Sequence, residues 1–327
     1  GGSGFARSLE AEPRLTRRLT GPFGSSPTLA ELLVGHPETL GELLAGASLP
    51  SAEQVARAHD DGAIQRADIE DFVAWLRRLR REHLLRVGLA QIGGELDERG
   101  SQLALSALAD AQVRASLHYA ARETITKLGQ PDPTCDGFVV VGMGKLGGGE
   151  LGFTSDLDLI FLYEGDGETA NGRSHVELFS RIAQRTMRLL SQADAEGPGY
   201  EVDARLRPSG AQGLLVTSID AFERYHQTRA EPWERQALVR ARPVAATIGA
   251  DEMAGRVARL LEEFCERSKE FFERVFRKSR SKSPWPLAFR VAVEFPRRGA
   301  AVLSAAGPRK GESRRRLRDR EAGSHKG

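Results

Sequence analysis

The chain is poor in cysteine, in aromatic residues and in long apolar runs, and each shortage removes a class of protein. Its 327 residues contain two cysteines, Cys135 and Cys265, far apart in sequence. That argues against a disulfide framework or a zinc site and makes a reducing cytoplasm the default compartment. No apolar run approaches the roughly 20 residues that span a bilayer, so no membrane anchor is expected. The opening GGSGFARSLEAEPRL has no apolar signal core. It also lacks an initiator Met, which reads as a fragment or a processed chain. Aromatics make up only 6% of the residues, too few for a stacking surface of the kind single-stranded nucleic acid needs.

What is present is ordinary for a soluble globular protein: 40% hydrophobic and 28% charged residues, in a length that suits two or three domains. The net charge of +2 hides an asymmetry. Residues 277–327 hold 15 Lys and Arg against 4 Asp and Glu, a charge of +11, which leaves −9 for the rest. A basic tail invites nucleic acid or an anionic membrane. The acidic remainder lacks the basic, aromatic-bearing surface of a nucleic-acid enzyme, so nucleic acid is not expected as a partner.

The pattern along the chain predicts an α+β fold. Residues 1–130 read as a helical region. In IEDFVAWLRRLRREHLLRVGLAQI, Phe72, Trp75, Leu76, Leu79 and His83 recur at three- and four-residue spacing, with arginines on the other faces. Asp68 precedes this run as a cap, with Asp71 as the acid at its third position. The breaker run GQPDPTCDG then opens a small mixed-sheet domain over 131–250. There FVVVGM and DLDLIFLY read as strands, HVELFSRIAQRTMRLLSQA as an amphipathic helix, and GYEVDARLRPSG as a strand ending in a turn. SIDAFERYHQ and EPWERQALVRAR read as helices. A helix follows over 251–276, and residues 277–327 read as a basic, disordered tail.

The segment GMGKLGGGELGFTSDLDLIFLY carries the chemistry. GMGKLG matches the dinucleotide fingerprint on paper, but the next strand begins at 156, which leaves no room for a crossover helix. Two strands joined so tightly are expected to be antiparallel. Lys145 is followed by Leu146, so a Walker A loop fails as well. Alternation puts Leu157 and Leu159 on one strand face and Asp156, Asp158 and Ile160 on the other. Carboxylates entering a core are costly unless neutralised, and a bound Mg²⁺ would neutralise them. The same period-two reasoning puts Asp203, Arg205 and Arg207 on one face of YEVDARLRP. If that strand lies beside the first, three carboxylates converge next to two guanidiniums, a set suited to two-metal transfer at phosphorus. The plainer alternatives are a glycine-rich hairpin with solvated acids, and arginines that merely pair with those acids.

A Gly-rich loop, then Ser155-Asp156-x-Asp158, then a distal strand aspartate resembles the nucleotidyltransferase fold shared with DNA polymerase β. The longer wording is similar to bacterial glutamine synthetase adenylyltransferase/adenylyl-removing enzymes. It lies in the segment above, YEVDARLRPSGAQGLLVTSIDAFERYH, WERQALVRARPVA and FGSSPTLAELLVGHPETL. The resemblance runs from about residue 23 to 245. It implies ATP as substrate, with its phosphates over Gly142, Gly144, Lys145, Gly147 and Gly148, and Ser155, Arg205 and Arg207 as further phosphate contacts. It implies Asp156, Asp158 and Asp203 as metal ligands for Mg²⁺ and as the catalytic acids. That family carries two such modules: one attaches AMP to a tyrosine of glutamine synthetase, the other removes it by phosphorolysis. A PII signalling protein regulates both. The wording of GYEVDARLRPSG and WERQALVRARPVA leans towards the attaching module. A module that removes AMP, or an inactive truncated one, stays as the alternative. The chain departs from the family after 276, where further helices and a Gly-rich segment would follow. The tail there resembles an unrelated or out-of-frame translation more than a nucleic-acid arm.

Overall fold

The computed structural model describes residues 21, 24, 26–35, 49–128, 137–165, 167–169 and 172–278. The breaker run with Cys135, the break at His36-Pro37 and the tail beyond 278 lie outside the described residues.

Among the described residues four helices come first: α1 (Pro27–Gly35), α2 (Ala52–Gln65), α3 (Ile69–Ile92) and α4 (Glu98–Leu128). Their starts are written in the sequence. Ser51 and Gln54 form a reciprocal capping box at α2, with bonds of 3.2 and 2.8 Å. Asp68 caps α3 by accepting the N–H groups of Glu70 and Asp71 at 2.9 and 3.0 Å, as its position predicts. Helix α4 is the central pillar. Leu105, Ala109, Val113, Leu117 and Ala120 put it in the main core, and Leu108 and Ala111 join a separate cluster with Val55 of α2. A helix buried on more than one side is an interior helix.

The sheet follows. Strand β1 (Phe138–Gly142) is wholly buried and pairs antiparallel with β2 (Leu157–Tyr163), with Val140 opposite Phe161. The antiparallel expectation holds. Between them the glycine run makes one helical turn, α5 (Gly144–Gly148), rather than an open loop. Gly149 ends it in the left-handed region. Helix α6 (His175–Ser191) returns across the sheet to β3 (Val202–Asp203), which pairs parallel with the start of β2. Strand β4 (Val216–Ser218) pairs parallel with the end of β2, so two short strands share that edge. Helices α7 (Ile219–Thr228) and α8 (Pro232–Ala237) lead through a 3₁₀ turn to β5 (Arg242–Ala246), and α9 (Asp251–Lys278) closes the described chain.

Side-chain alternation on β1 and β2 builds two cores. Phe138, Val140, Leu157, Leu159, Phe161 and Tyr163 face α3, α4 and α6. Val139, Val141, Ile160 and Leu162 face α7 and α9. One continuous core thus joins the early helices to the sheet.

Three sequence expectations need correction. Arg77, Arg80 and Arg81 of α3 are buried, not solvated. Arg77 donates to the carbonyls of Leu189, Leu190 and Gln192 at 2.5, 3.0 and 2.8 Å. These carbonyls lie at the C-terminal end of α6, where the helix itself supplies no donors; that of Leu190 also accepts the N–H of Tyr200 at 2.9 Å. Residues 203–207 do not continue as a strand. The Asp203 carboxylate accepts the N–H of Arg205 at 2.7 Å, an Asx turn that bends the chain away from the sheet. The helix expected over 231–242 ends at Ala237, and a 3₁₀ turn then leads into β5 at Arg242. Pro243 sits in β5, and β5 is an edge strand, where a missing N–H is tolerated.

Candidate functional site

The parallel pairing of β2 with β3 decides the site. Register partners are Leu157 with Val202 and Asp158 with Asp203. Partnered residues of neighbouring strands point to the same sheet face, so Asp158 and Asp203 stand side by side. Asp156 lies two residues before Asp158, and the N–H of Leu157 donates to the carbonyl of Glu201 at 2.8 Å. Asp156 and Glu201 therefore sit at the open end of the same ladder. Glu201 was missed by sequence reasoning, although the alternation that places Asp203 places it too.

The electrostatics follow from this crowding. Burial, then the charges of Asp156 and Asp203, push the Asp158 carboxyl up; Lys145 and Arg205 pull the other way. Asp203 goes down, chiefly through its side-chain bond from Arg205. Arg205 grips both Asp203 oxygens, Nε at 3.0 and 2.8 Å and Nη2 at 2.5 Å. The plainer expectation of an arginine pairing with a nearby acid thus holds for Arg205. Arg207 does something else. It donates to the carbonyls of Ala204, Ala211 and Gly213 at 2.5 to 3.3 Å and ties together the loop that follows β3.

A cleft of about 600 Å³ opens at this edge, lined by Asp156, Glu201, Asp203, Arg205 and Arg207 from the strand ends. Gln184 and Met187 of α6 and Leu215 complete it. Periodicity marks the buried face of α6 but not which exposed residue meets the cleft, so Gln184 could not be found from sequence. Asp158 is not among the lining residues and stands one position inward.

The glycine helix touches the site from the Asp158 side. A Cβ at Gly144, whose φ is +52°, would come within 2.5 Å of Asp158 Oδ2. Gly147 packs so closely that a Cβ there would lie 1.6 Å from the Arg240 carbonyl oxygen. Gly142 and Gly148 are likewise buried, and Lys145 is exposed. Ser155 turns inward locally, its Oγ accepting the Gly152 N–H at 2.9 Å. The structure therefore brings Asp156, Asp203, Arg205 and Arg207 to one cleft and Gly144 to Asp158. It does not bring Ser155, Gly142, Gly147 or Gly148 to the lining.

Among the described residues, no three His, Cys, Asp or Glu side chains are placed to share one metal ion. At Asp203 both carboxylate oxygens are engaged by the Arg205 fork. Nor is any helix among the described residues long and apolar enough to cross a membrane.

Comparison with known proteins identifies the family. A family profile described as glutamate-ammonia ligase adenylyltransferase matches residues 16–256. A bifunctional glutamine synthetase adenylyltransferase/adenylyl-removing enzyme of Pseudomonas putida is 40% identical over 254 residues, 73% of this chain and 26% of that protein. A protein of the same description from Thioalkalivibrio sulfidiphilus is 36% identical over 290 residues, 84% of this chain and 30% of that protein. The chain thus spans less than a third of the length of these relatives. With residues 16–256 matched, the chain belongs to the glutamate-ammonia ligase adenylyltransferase family.

Proposed function

We propose that this chain is a nucleotidyltransferase module that moves AMP from ATP onto a tyrosine of glutamine synthetase. The observation that carries this reading is the in-register pairing of Asp158 with Asp203, with Asp156 beside them at the cleft mouth.

The donor set fits a hard divalent cation such as Mg²⁺ in kind, since all its atoms are carboxylate oxygens. The upward push on Asp158 from its neighbours is the repulsion that such a charge relieves. Asp156 and Asp158 would hold the ion, and Asp203 would join them on release by Arg205. Bound there, it would supply charge neutralisation at the reacting phosphorus.

The chain's own groups do the remaining work. The first N–H groups of α5 have no acceptor within so short a helix and, with Lys145, orient the triphosphate. Arg205 is exposed and exchanges its carboxylate partner for a phosphate oxygen; Arg207 shapes the loop beneath it. Asp203 is held ionised by Arg205. Once Arg205 has moved to the phosphate that hold is lifted, and Asp203 accepts the proton of the incoming tyrosine hydroxyl as its general base. The tyrosine oxygen bonds to the α-phosphorus as its proton passes to Asp203, the bond to the bridging oxygen breaks, and pyrophosphate leaves. A PII signalling protein enters this reading as the expected regulator.

The test is the direction of reaction. With Mg²⁺, ATP and unmodified glutamine synthetase, the protein is expected to yield AMP-tyrosine and pyrophosphate. With AMP-modified synthetase and inorganic phosphate it is expected to yield little ADP. ADP formation without AMP attachment would assign the removing module instead.

A further inference from the structure

The glycine helix is locked in place from outside the sheet by an ion pair that the mechanism above does not use. Arg242 of β5 forms a two-pronged pair with Asp110 of α4, Nη1 to Oδ2 at 2.9 Å and Nη2 to Oδ1 at 3.0 Å. Both side chains are largely buried, with 14% and 15% of their surface exposed. The same guanidinium reaches the other way. Its Nη2 donates to Leu146 O at 3.1 Å and its Nε to Gly147 O at 3.2 Å. Those carbonyls end α5; that of Leu146 also accepts the Gly149 N–H at 3.1 Å. Two neighbouring arginines hold the turn that follows: Arg99 of α4 donates to Gly149 O at 2.9 Å, and Arg240 pairs with Glu150 at 2.9 Å. At its other end α5 lies against Asp158, with no room for a Cβ at Gly144.

We propose that Arg242, oriented by Asp110, is a positioning residue that fixes the Gly144–Gly148 turn against Asp158 and so sets where the nucleotide phosphates lie. This rests on the nucleotidyltransferase reading above. It makes α4 of the early helical region part of the catalytic module. A planar fork is needed, because one guanidinium must satisfy a carboxylate and two carbonyls at once. An ammonium at the same place keeps the charge opposite Asp110 and loses the reach to α5.

Arg242→Lys is therefore the informative variant, with Asp110→Asn as the second. Both are made in the full chain. For Arg242→Lys the expected result is a folded protein with a melting temperature lowered by a few degrees, and KM for ATP raised by about tenfold or more. Amide hydrogen exchange at 144–150 is expected to be faster, and exchange in α3 unchanged. Asp110→Asn is expected to move KM and exchange in the same direction, because the fork loses the partner that orients it. Wild-type KM and wild-type exchange at 144–150 in Arg242→Lys would overturn the proposal. A wild-type protein that transfers no nucleotide would overturn the functional reading instead, and the exchange measurement would still decide the clamp.

Discussion

Arg77 offers the sharpest test of how the early helices support the site. Its side chain is 1% exposed, yet it carries a guanidinium that donates to three main-chain carbonyls of residues 189, 190 and 192. Burial lowers its pKa to about 10, so it remains charged at neutral pH. Replacing it with Met keeps most of the volume and removes every donor. The carbonyls of Leu189 and Gln192 then lose their donor inside a core, each unsatisfied group costing about 1–3 kcal/mol, while that of Leu190 keeps the Tyr200 N–H. Relief of the guanidinium's own desolvation offsets part of that sum. A net loss of about 3–5 kcal/mol follows, in the range for breaking a buried charged network. For a chain of this size that corresponds to roughly 5 °C in melting temperature. Urea denaturation, followed by circular dichroism, gives the free energy directly. Arg77→Lys should recover only part, since one ammonium cannot reach three carbonyls. A loss below about 1 kcal/mol in Arg77→Met would refute the reasoning and separate α3 from the sheet energetically.

Other outcomes follow from the same geometry. His59 and His83 are buried, and burial lowers each pKa to about 4. The unfolded chain then binds more protons between that value and the usual value of about 6.5. Stability is therefore complete above pH ~6.5 and falls as pH drops towards 4; a melting temperature flat across that window would contradict the burial argument. Gly147→Ala would place a methyl 1.6 Å from the Arg240 carbonyl oxygen, so about 1–3 kcal/mol of stability should be lost in a denaturant titration. Asp158→Asn should remove a crowded negative charge, leaving the melting temperature unchanged or raised while nucleotidyl transfer fails. A stability loss matching the activity loss would mark Asp158 as structural.

The acids were legible because alternation is strict. Asp156, Asp158 and Asp203 could be assigned a face from spacing alone, and the register of β2 with β3 turned that into adjacency. The Asp68 cap and the tight β1–β2 connection were legible for similar local reasons. What escaped depends on distant partners. Nothing local says that Arg77 reaches α6 or that Arg242 reaches α4, since an arginine pattern reads the same on a solvated face. Strand β5 escaped because Pro243 argues against a strand until its edge position is known. The end of β3 was misjudged because the Asx turn competes with alternation within two residues, and one side-chain bond decides it.

The central claim is that the ladder of Asp156, Asp158 and Asp203 transfers AMP. The most direct measurement is intact-mass analysis of glutamine synthetase after incubation with ATP, Mg²⁺ and either the wild-type chain or Asp158→Asn. The account predicts addition of one AMP per modified subunit with wild type and none with Asp158→Asn, with both proteins folded by circular dichroism. Equal AMP addition by the two proteins would contradict it.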